Sequence, residues 1–500
     1  MKGKKKIASI LACAMLLSAA PVEAMAYTVP DTVRVGLESV CKNVASASIG
    51  VWELQIGMQK GDGFQRGGVI TSSGLFTARP AVGDYIAVDK TMDCTDALDM
   101  AKDMKKSGLD TYAAYLSGGD WTVYVKDASV SAVEAAADEN ASRVSFEGVA
   151  ITGGEAPVLV PENAVMMGGN VADTFKLNSM PYRGMLTFSV NGSSMTGVNI
   201  IGLEEYLYGV VPSEMPKSYD AEALKAQAVA ARTYAMTKLG AHTGSGYQLC
   251  DTTACQVYKG YSNEADATTA AVDATAGEVA CYNGSPIEAV FSASTGGYTE
   301  SSENVWNTAV PYLRAVSEPG EYGDNSWTKT LTLDELTALL QAKGENIGTA
   351  KDIVITKLST GGRVQALQIV GTSGTKTLTK EAIRTYFSSA CGTLPSKMFT
   401  INGKGGTSTS AKGGLLSAAA RQGIVAKTEG ALSYLNGKKL SVDVDAAQPA
   451  QNTDNEAYTV YNVSISTVAN GKFVFSGSGS GHGVGLSQKG AQGMAQMGYD

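Results

Sequence analysis

The stretch Tyr206–Met236, YLYGVVPSEMPKSYDAEALKAQAVAARTYAM, decides how this chain reads. One carboxylate, Glu214, stands between two prolines, Pro212 and Pro216, and a long alanine-rich segment follows at once. Proline fixes φ and biases the preceding residue toward extended backbone, so Glu214 is expected in a rigid turn and not on a helix. A carboxyl pinned beside a packed helix suits a general acid. The same residue type also caps helices, and this stretch alone leaves both readings open. The helix is expected to begin at Asp220, a good N-cap, to run through Leu224, Ala228, Ala231 and Ala235, and to end near Gly240. Its many small side chains imply close neighbours, hence a buried helix. Lys225 and Arg232 share one face of it and Gln227 points roughly the other way. The two cations can bind polar substrate groups or pair with Glu214; a solvated face is the plainer reading but sits badly with so many alanines.

Working outward, Met185–Val190 and Met195–Ile201 form strand candidates around an Asn191-Gly192 turn. A further apolar run, Ile287 to Ser292, leads into the polar stretch Ser294-Thr295-Gly296-Gly297, which by itself signals only a loop. Residues 352–369 read as two more strands, and so do 458–467 and 472–476. Residues 407–413 and 442–455 are polar and turn-rich, as surface loops are. The mixture predicts an α+β architecture, a strand-rich mixed domain around one buried alanine-rich helix, over residues 170–500.

Only two histidines are present, His242 and His482. There is no GxSxG elbow and no HExxH motif, which removes the serine hydrolases built on that elbow and the zincin-type proteases. His482 lies in GSGSGHGVG, residues 477–485, and that run fails the GxGxxG test in every register. Alternate glycines let backbone approach something closely: either a tight packing corner, or the floor of a groove faced by His482 and Gln488. His242, Cys250 and Cys255 are soft N and S donors at short spacing, which suits zinc, yet only Asp251 offers itself as a fourth ligand. A local disulfide or free thiols are the simpler account.

The chain opens with Lys2, Lys4, Lys5 and Lys6, an apolar run over 7–20, and a small-x-small site at Ala24-Met25-Ala26. That is the pattern of an export signal or short anchor over 1–26, and it places the protein on the outer face of the cytoplasmic membrane. The full chain carries a net charge of −8. An acidic chain with no basic run beyond Lys6 is a poor nucleic-acid binder. Cys41, Cys94, Cys250, Cys255, Cys281 and Cys391 follow the leader, and no pairing among them can be chosen from spacing.

A smaller α/β region is expected over 27–165. Within it, Thr95 reads as an N-cap, Ala97, Ala101 and Met104 sit at helical spacing, and strands 111–116 and 121–125 flank a Gly118-Gly119-Asp120 turn. A second helix near 130–137 completes a helix-hairpin-helix order that resembles the SPOR-type repeat over about 90–140, a module that grips bare glycan strands. Residues 154–171 read as a linker or strand edge.

Taken together, YLYGVVPSEMP, AEALKAQAVAARTYAM, DTTACQVYKGY, STGGYTESSENVW, PYLRAV and GSGSGHGVGLSQKGAQGMAQMGYD, in this order, resemble the SpoIID/LytB family of sporulation and cell-wall proteins. The resemblance implies a lytic transglycosylase acting on peptidoglycan glycan strands stripped of stem peptides, with Glu214 as catalytic acid and no cofactor required. It also implies substrate-lining roles for Lys225, Gln227, Arg232, Ser294, Thr295, Gly296, Gly297, His482 and Gln488. Implied partners are a cell-wall amidase and a membrane-bound sporulation complex, and the rival reading is a non-catalytic enhancer of such an amidase. Some relatives carry zinc near DTT-x-CQVY with a histidine where this chain has Ala254, so His242, Cys250 and Cys255 stand as an incomplete or differently completed zinc site. The family pattern continues past GYD, whereas this sequence stops at Asp500.

Overall fold

A computed structural model of the chain describes residues 29–169, 174–318, 320–405 and 461–499. The leader over 1–26, the loops expected at 407–413 and 442–455, and Asp500 lie outside the described residues.

The N-terminal strand Thr32–Gly36 is not peripheral. It pairs antiparallel with Ser194–Gly202, which forms a hairpin with Met185–Asn191, and parallel with the short strand Leu249–Cys250. Val33 and Val35 are therefore fully buried beside Val198, Leu207 and Leu249. One sheet and one apolar core thus run from the first strand into the helices near residue 272, across the boundary expected at 165–170. Periodicity could not show this, because only pairing between distant strands joins the two regions.

Within that core, the strands Gly63–Val88, Asp120–Lys126, Asp110–Ser117, Val158–Pro161 and Ala141–Gly154 pair in turn and close on themselves. Helices α1 (Cys94–Lys106) and α2 (Val130–Ala137) flank them, so the helix-hairpin-helix order is present. Asp93, rather than Thr95, caps α1 by accepting from the Asp96 N–H. The stretch expected as a linker after Gly154 contributes two strands, Val158–Pro161 and Val165–Gly168, both paired in the sheet. Val158, Leu159 and Val160 in it are buried.

The helical layer consists of α3 (Leu203–Glu214), α4 (Ala221–Lys238), α5 (Asp266–Ala274) and the C-terminal helix Gln488–Gln496. Alanines at 223, 228, 230, 231 and 235 are buried, which is how α4 packs closely against α3, α5 and the C-terminal helix. Glu214 is the last residue of α3, with Pro212 inside its final turn, and so is not in a separate turn. The proline removes one i→i−4 bond, yet the Met215 N–H still reaches the Val211 carbonyl at 2.9 Å and closes the helix. No described helix is long and apolar enough to cross a membrane.

A second core lies farther along the chain, so residues 170–500 do not share a single core. A three-stranded sheet (Ser326–Thr332, Lys472–Ser478, Phe399–Ile401) and a four-stranded sheet (Thr375–Thr379, Val364–Gly371, Ala350–Leu358, Tyr461–Ser466) enclose Leu336, Ile353, Leu367, Phe387 and Phe475. The helix Leu333–Ala342 starts on a capping box between Thr332 and Glu335. From Lys472–Ser478 the chain returns through the glycine run to Leu486–Ser487. That strand lies parallel to Phe291–Ser292 and delivers the last helix onto α4.

Candidate active site

Glu214 ends α3 and is partly buried. Its Oε1 lies 3.4 Å from the Val257 N–H, and the Gln488 side-chain amide donates to the same carboxyl. Burial raises the Glu214 carboxyl above the ordinary carboxylate range, opposed by those two donors and by the Lys259 charge. A negative charge at a helix C-terminus is further disfavoured by the macrodipole. The geometry therefore holds a carboxyl inclined to keep its proton, the property a general acid needs.

Each neighbour comes from a different element. Gln488 begins the C-terminal helix and reaches Gln227 of α4, its Nε2 3.4 Å from the Gln227 Oε1. Gln227 is fully buried, and its own Nε2 has no hydrogen-bond partner. The loop carrying Val257 is fixed by Gln256, which accepts from the Tyr206 hydroxyl at 3.3 Å and donates to the Ala231 carbonyl at 3.2 Å. Glu214, Gln227 and Gln488, singled out in the sequence, are thus brought together.

The cations of α4 are not. Arg232 is fully buried and grips Glu204 with two donors, Nε at 2.9 Å and Nη2 at 2.6 Å. It also donates to the carbonyls of Val272 and Glu278, tying α3, α4 and α5 together, so it neither faces a groove nor pairs with Glu214. Lys225 is half-exposed, pairs with Glu222 at 2.7 Å and lines a cavity of about 770 Å³ between α4 and the loop around Tyr312. A neighbouring cavity of about 360 Å³ is lined by Ala226, Glu318, Ser487 and Tyr499. Glu214 lines neither.

The STGG loop and the glycine run form one structure. Ser294 and Ser480 exchange backbone hydrogen bonds of 3.1 and 2.9 Å, and the loop then turns on Gly296 (φ 76°) and Gly297 (φ 99°). A Cβ at Gly479 would sit 2.8 Å from the Gly296 nitrogen, so glycine is required there for close approach as well as for its φ of 82°. Ser294, Thr295 and Gly296 are buried, the two hydroxyls donating to Glu321 and Glu318, while Gly297 stays partly exposed. His482 accepts the Val484 N–H on Nδ1 at 3.0 Å, hydrogen-bonds the Phe291 backbone, and meets the half-exposed Trp306 edge-on with ring centroids 4.9 Å apart. Burial, reinforced by the Arg363 charge, pulls its imidazole down to about 4, so it stays neutral near pH 7. Its contacts lie on the Trp306 side of the run, six residues ahead of the Gln488 that meets Glu214.

His242, Cys250 and Cys255 converge, with ligand atoms within 4.8 Å of one another. The two thiols are free, and His242 Nε2 is 3.3 Å from the Cys255 sulfur. Glu38 Oε1 lies 3.9 Å from the other ring nitrogen, the place of an outer-shell carboxylate. Asp251 turns away and accepts from the Ser39 N–H at 3.0 Å, so it is not a fourth ligand. One imidazole and two thiols form a donor set that fits zinc with an open position.

Sequence reasoning missed Val257, because only its backbone acts, and missed Glu318, Glu321 and Arg363, which reach the loops from outside the quoted motifs; Trp306 lay within STGGYTESSENVW but carried no signal of its own.

Residues 191–282 match the family described as stage II sporulation protein, SpoIID. Residues 321–414 match a domain of unknown function, DUF8618. The chain is 34% identical to the amidase enhancer of Bacillus subtilis (strain 168) over 296 residues, 58% of this chain and 38% of that protein. It is 39% identical to stage II sporulation protein D of the same organism over 163 residues, 29% of this chain and 48% of that protein. The corresponding protein of Bacillus amyloliquefaciens is 39% identical over 155 residues, 28% of this chain and 45% of that one. These matches support a SpoIID/LytB family assignment, and the chain spans less than half the length of these curated relatives.

Proposed function

We propose that the protein is an exported cell-wall lytic transglycosylase that cuts peptide-stripped peptidoglycan glycan strands in a sporulation-related process. The observation that carries this reading is the Glu214 carboxyl, raised by burial yet still partly open. Protonated, it donates to the glycosidic oxygen as the bond to C1 breaks. The resulting carboxylate then takes the proton of the same sugar's C6 hydroxyl while that oxygen closes on C1, giving a 1,6-anhydro end and restoring the acid. The intramolecular nucleophile has a high effective concentration, so a second catalytic carboxylate is unnecessary. Gln488 and the Val257 N–H hold the carboxyl and stabilise its anionic form between the two proton transfers.

His242, Cys250 and Cys255 would hold a zinc ion, which would act as a cross-link bracing the loop that presents Val257. No proton transfer passes through that site.

A second reading, a glycan-binding enhancer of a cell-wall amidase, is favoured by one observation. The match to the amidase enhancer extends over 58% of this chain, against 29% for stage II sporulation protein D. Purified strands free of stem peptides separate the two. New 1,6-anhydro ends found by mass spectrometry support the transglycosylase; intact strands together with a faster partner amidase support the enhancer.

A further inference from the structure

The region matched as a domain of unknown function touches the site loops through buried polar groups. Arg363 stands at the turn between strands Ala350–Leu358 and Val364–Gly371 and is fully buried. Its Nη2 donates to the Thr295 carbonyl and, at 3.0 Å, to the Tyr298 carbonyl. From the other side Glu321 accepts the Gly296 N–H at 2.8 Å and the Ser294 hydroxyl at 2.9 Å. The same region holds the glycine run, with Gly479 N–H on the Asn325 carbonyl at 3.0 Å and Gly481 N–H on the Pro395 carbonyl at 2.9 Å. Gly483 lies against the guanidinium, where any Cβ would collide.

This arrangement is costly as mere packing. The Nε and Nη1 of Arg363 are buried without hydrogen-bond partners, and an apolar side chain would fill the space at lower desolvation cost. The nearby carboxylates Glu300, Glu318 and Glu321 offset the charge. What Arg363 supplies that an apolar residue cannot is a donor shared by two loop carbonyls three residues apart, across the Gly296-Gly297 turn. Gly297 in that turn and Tyr298 after it are the partly exposed part of the loop.

We infer that the described part of this region, residues 321–405, is a clamp that sets the shape of the STGG loop, with Arg363 and Glu321 as positioning residues for glycan-strand binding. The binding half rests on the proposed function; the clamp itself does not. Arg363→Lys keeps the charge but loses the planar fork. Strand affinity is expected to fall about tenfold, the equivalent of one lost hydrogen bond, while protection of core amides is unchanged. Amide exchange across 294–298 is expected to speed up, and guanidinium added to Arg363→Ala is expected to restore both loop protection and binding. If Arg363→Ala does not fold, the Lys variant carries the test. Unchanged exchange at 294–298 in Arg363→Lys overturns the clamp. Faster exchange with unchanged strand affinity overturns its role in binding. A wild-type chain that binds no strands refutes the functional reading, while the exchange result still decides the clamp.

Discussion

The side-chain amide of Gln488, at the start of the last helix, donates to the carboxyl of Glu214 at the end of α3. The C-terminal segment therefore completes a site whose acid lies in the first half of the chain. Because a bond to the ionised form lowers a carboxyl's pKa, Gln488 opposes the upward push of burial.

A pH–rate profile tests that balance. The general acid works when protonated, so cleavage should fall as pH rises through the raised Glu214 pKa. Gln488→Ala removes a donor to the anion and should move this alkaline limb to higher pH. A limb that stays put, or moves down, would contradict the assignment.

Glu214 should also mark the pH dependence of stability. With its folded pKa above the unfolded one, the folded state binds the proton more tightly, so its contribution is favourable at low pH and is lost as pH rises through the folded value. Glu214→Gln should accordingly raise Tm at pH 8 relative to wild type, with a smaller gap at pH 5. Melting curves at the two pH values check this.

His482 behaves in the opposite sense. Its folded pKa, pulled down to about 4, means that the unfolded chain takes up a proton first as pH falls below 6.5, so stability drops between 6.5 and 4. Because the chain has only two histidines, NMR can follow each ring. The His482 resonance should not move between pH 5.5 and 8.

Arg232 serves the fold. Removing it leaves Glu204 and two carbonyls without their buried donor, so Arg232→Ala should cost about 3–5 kcal/mol in urea unfolding. Where the variant is folded, strand binding should match wild type.

Local patterns made much of this molecule legible. The hairpin at Asn191-Gly192, the buried α4 and the α+β class follow from turn chemistry, alanine content and apolar spacing. Pro212 misled because the burial of Tyr206, Leu207, Val210 and Val211 holds α3 helical through Glu214 against the proline's local preference. The N-terminal strand inside the main sheet, the second core and Arg363 under the STGG loop were hidden for a different reason. They depend on which distant segments meet, and no short-range periodicity encodes that. At the site itself, residue type pointed to Glu214 and Gln488, whereas Arg232 looked functional because a buried structural arginine and a substrate-binding one read alike in sequence.

The most direct measurement counts 1,6-anhydro ends released from peptide-free glycan strands by wild-type protein and by Glu214→Gln, alongside strand binding by both. The account predicts anhydro ends from wild type, a loss of roughly 10²–10⁴-fold in the variant, and retained binding. Anhydro ends formed at the wild-type rate by Glu214→Gln would contradict it.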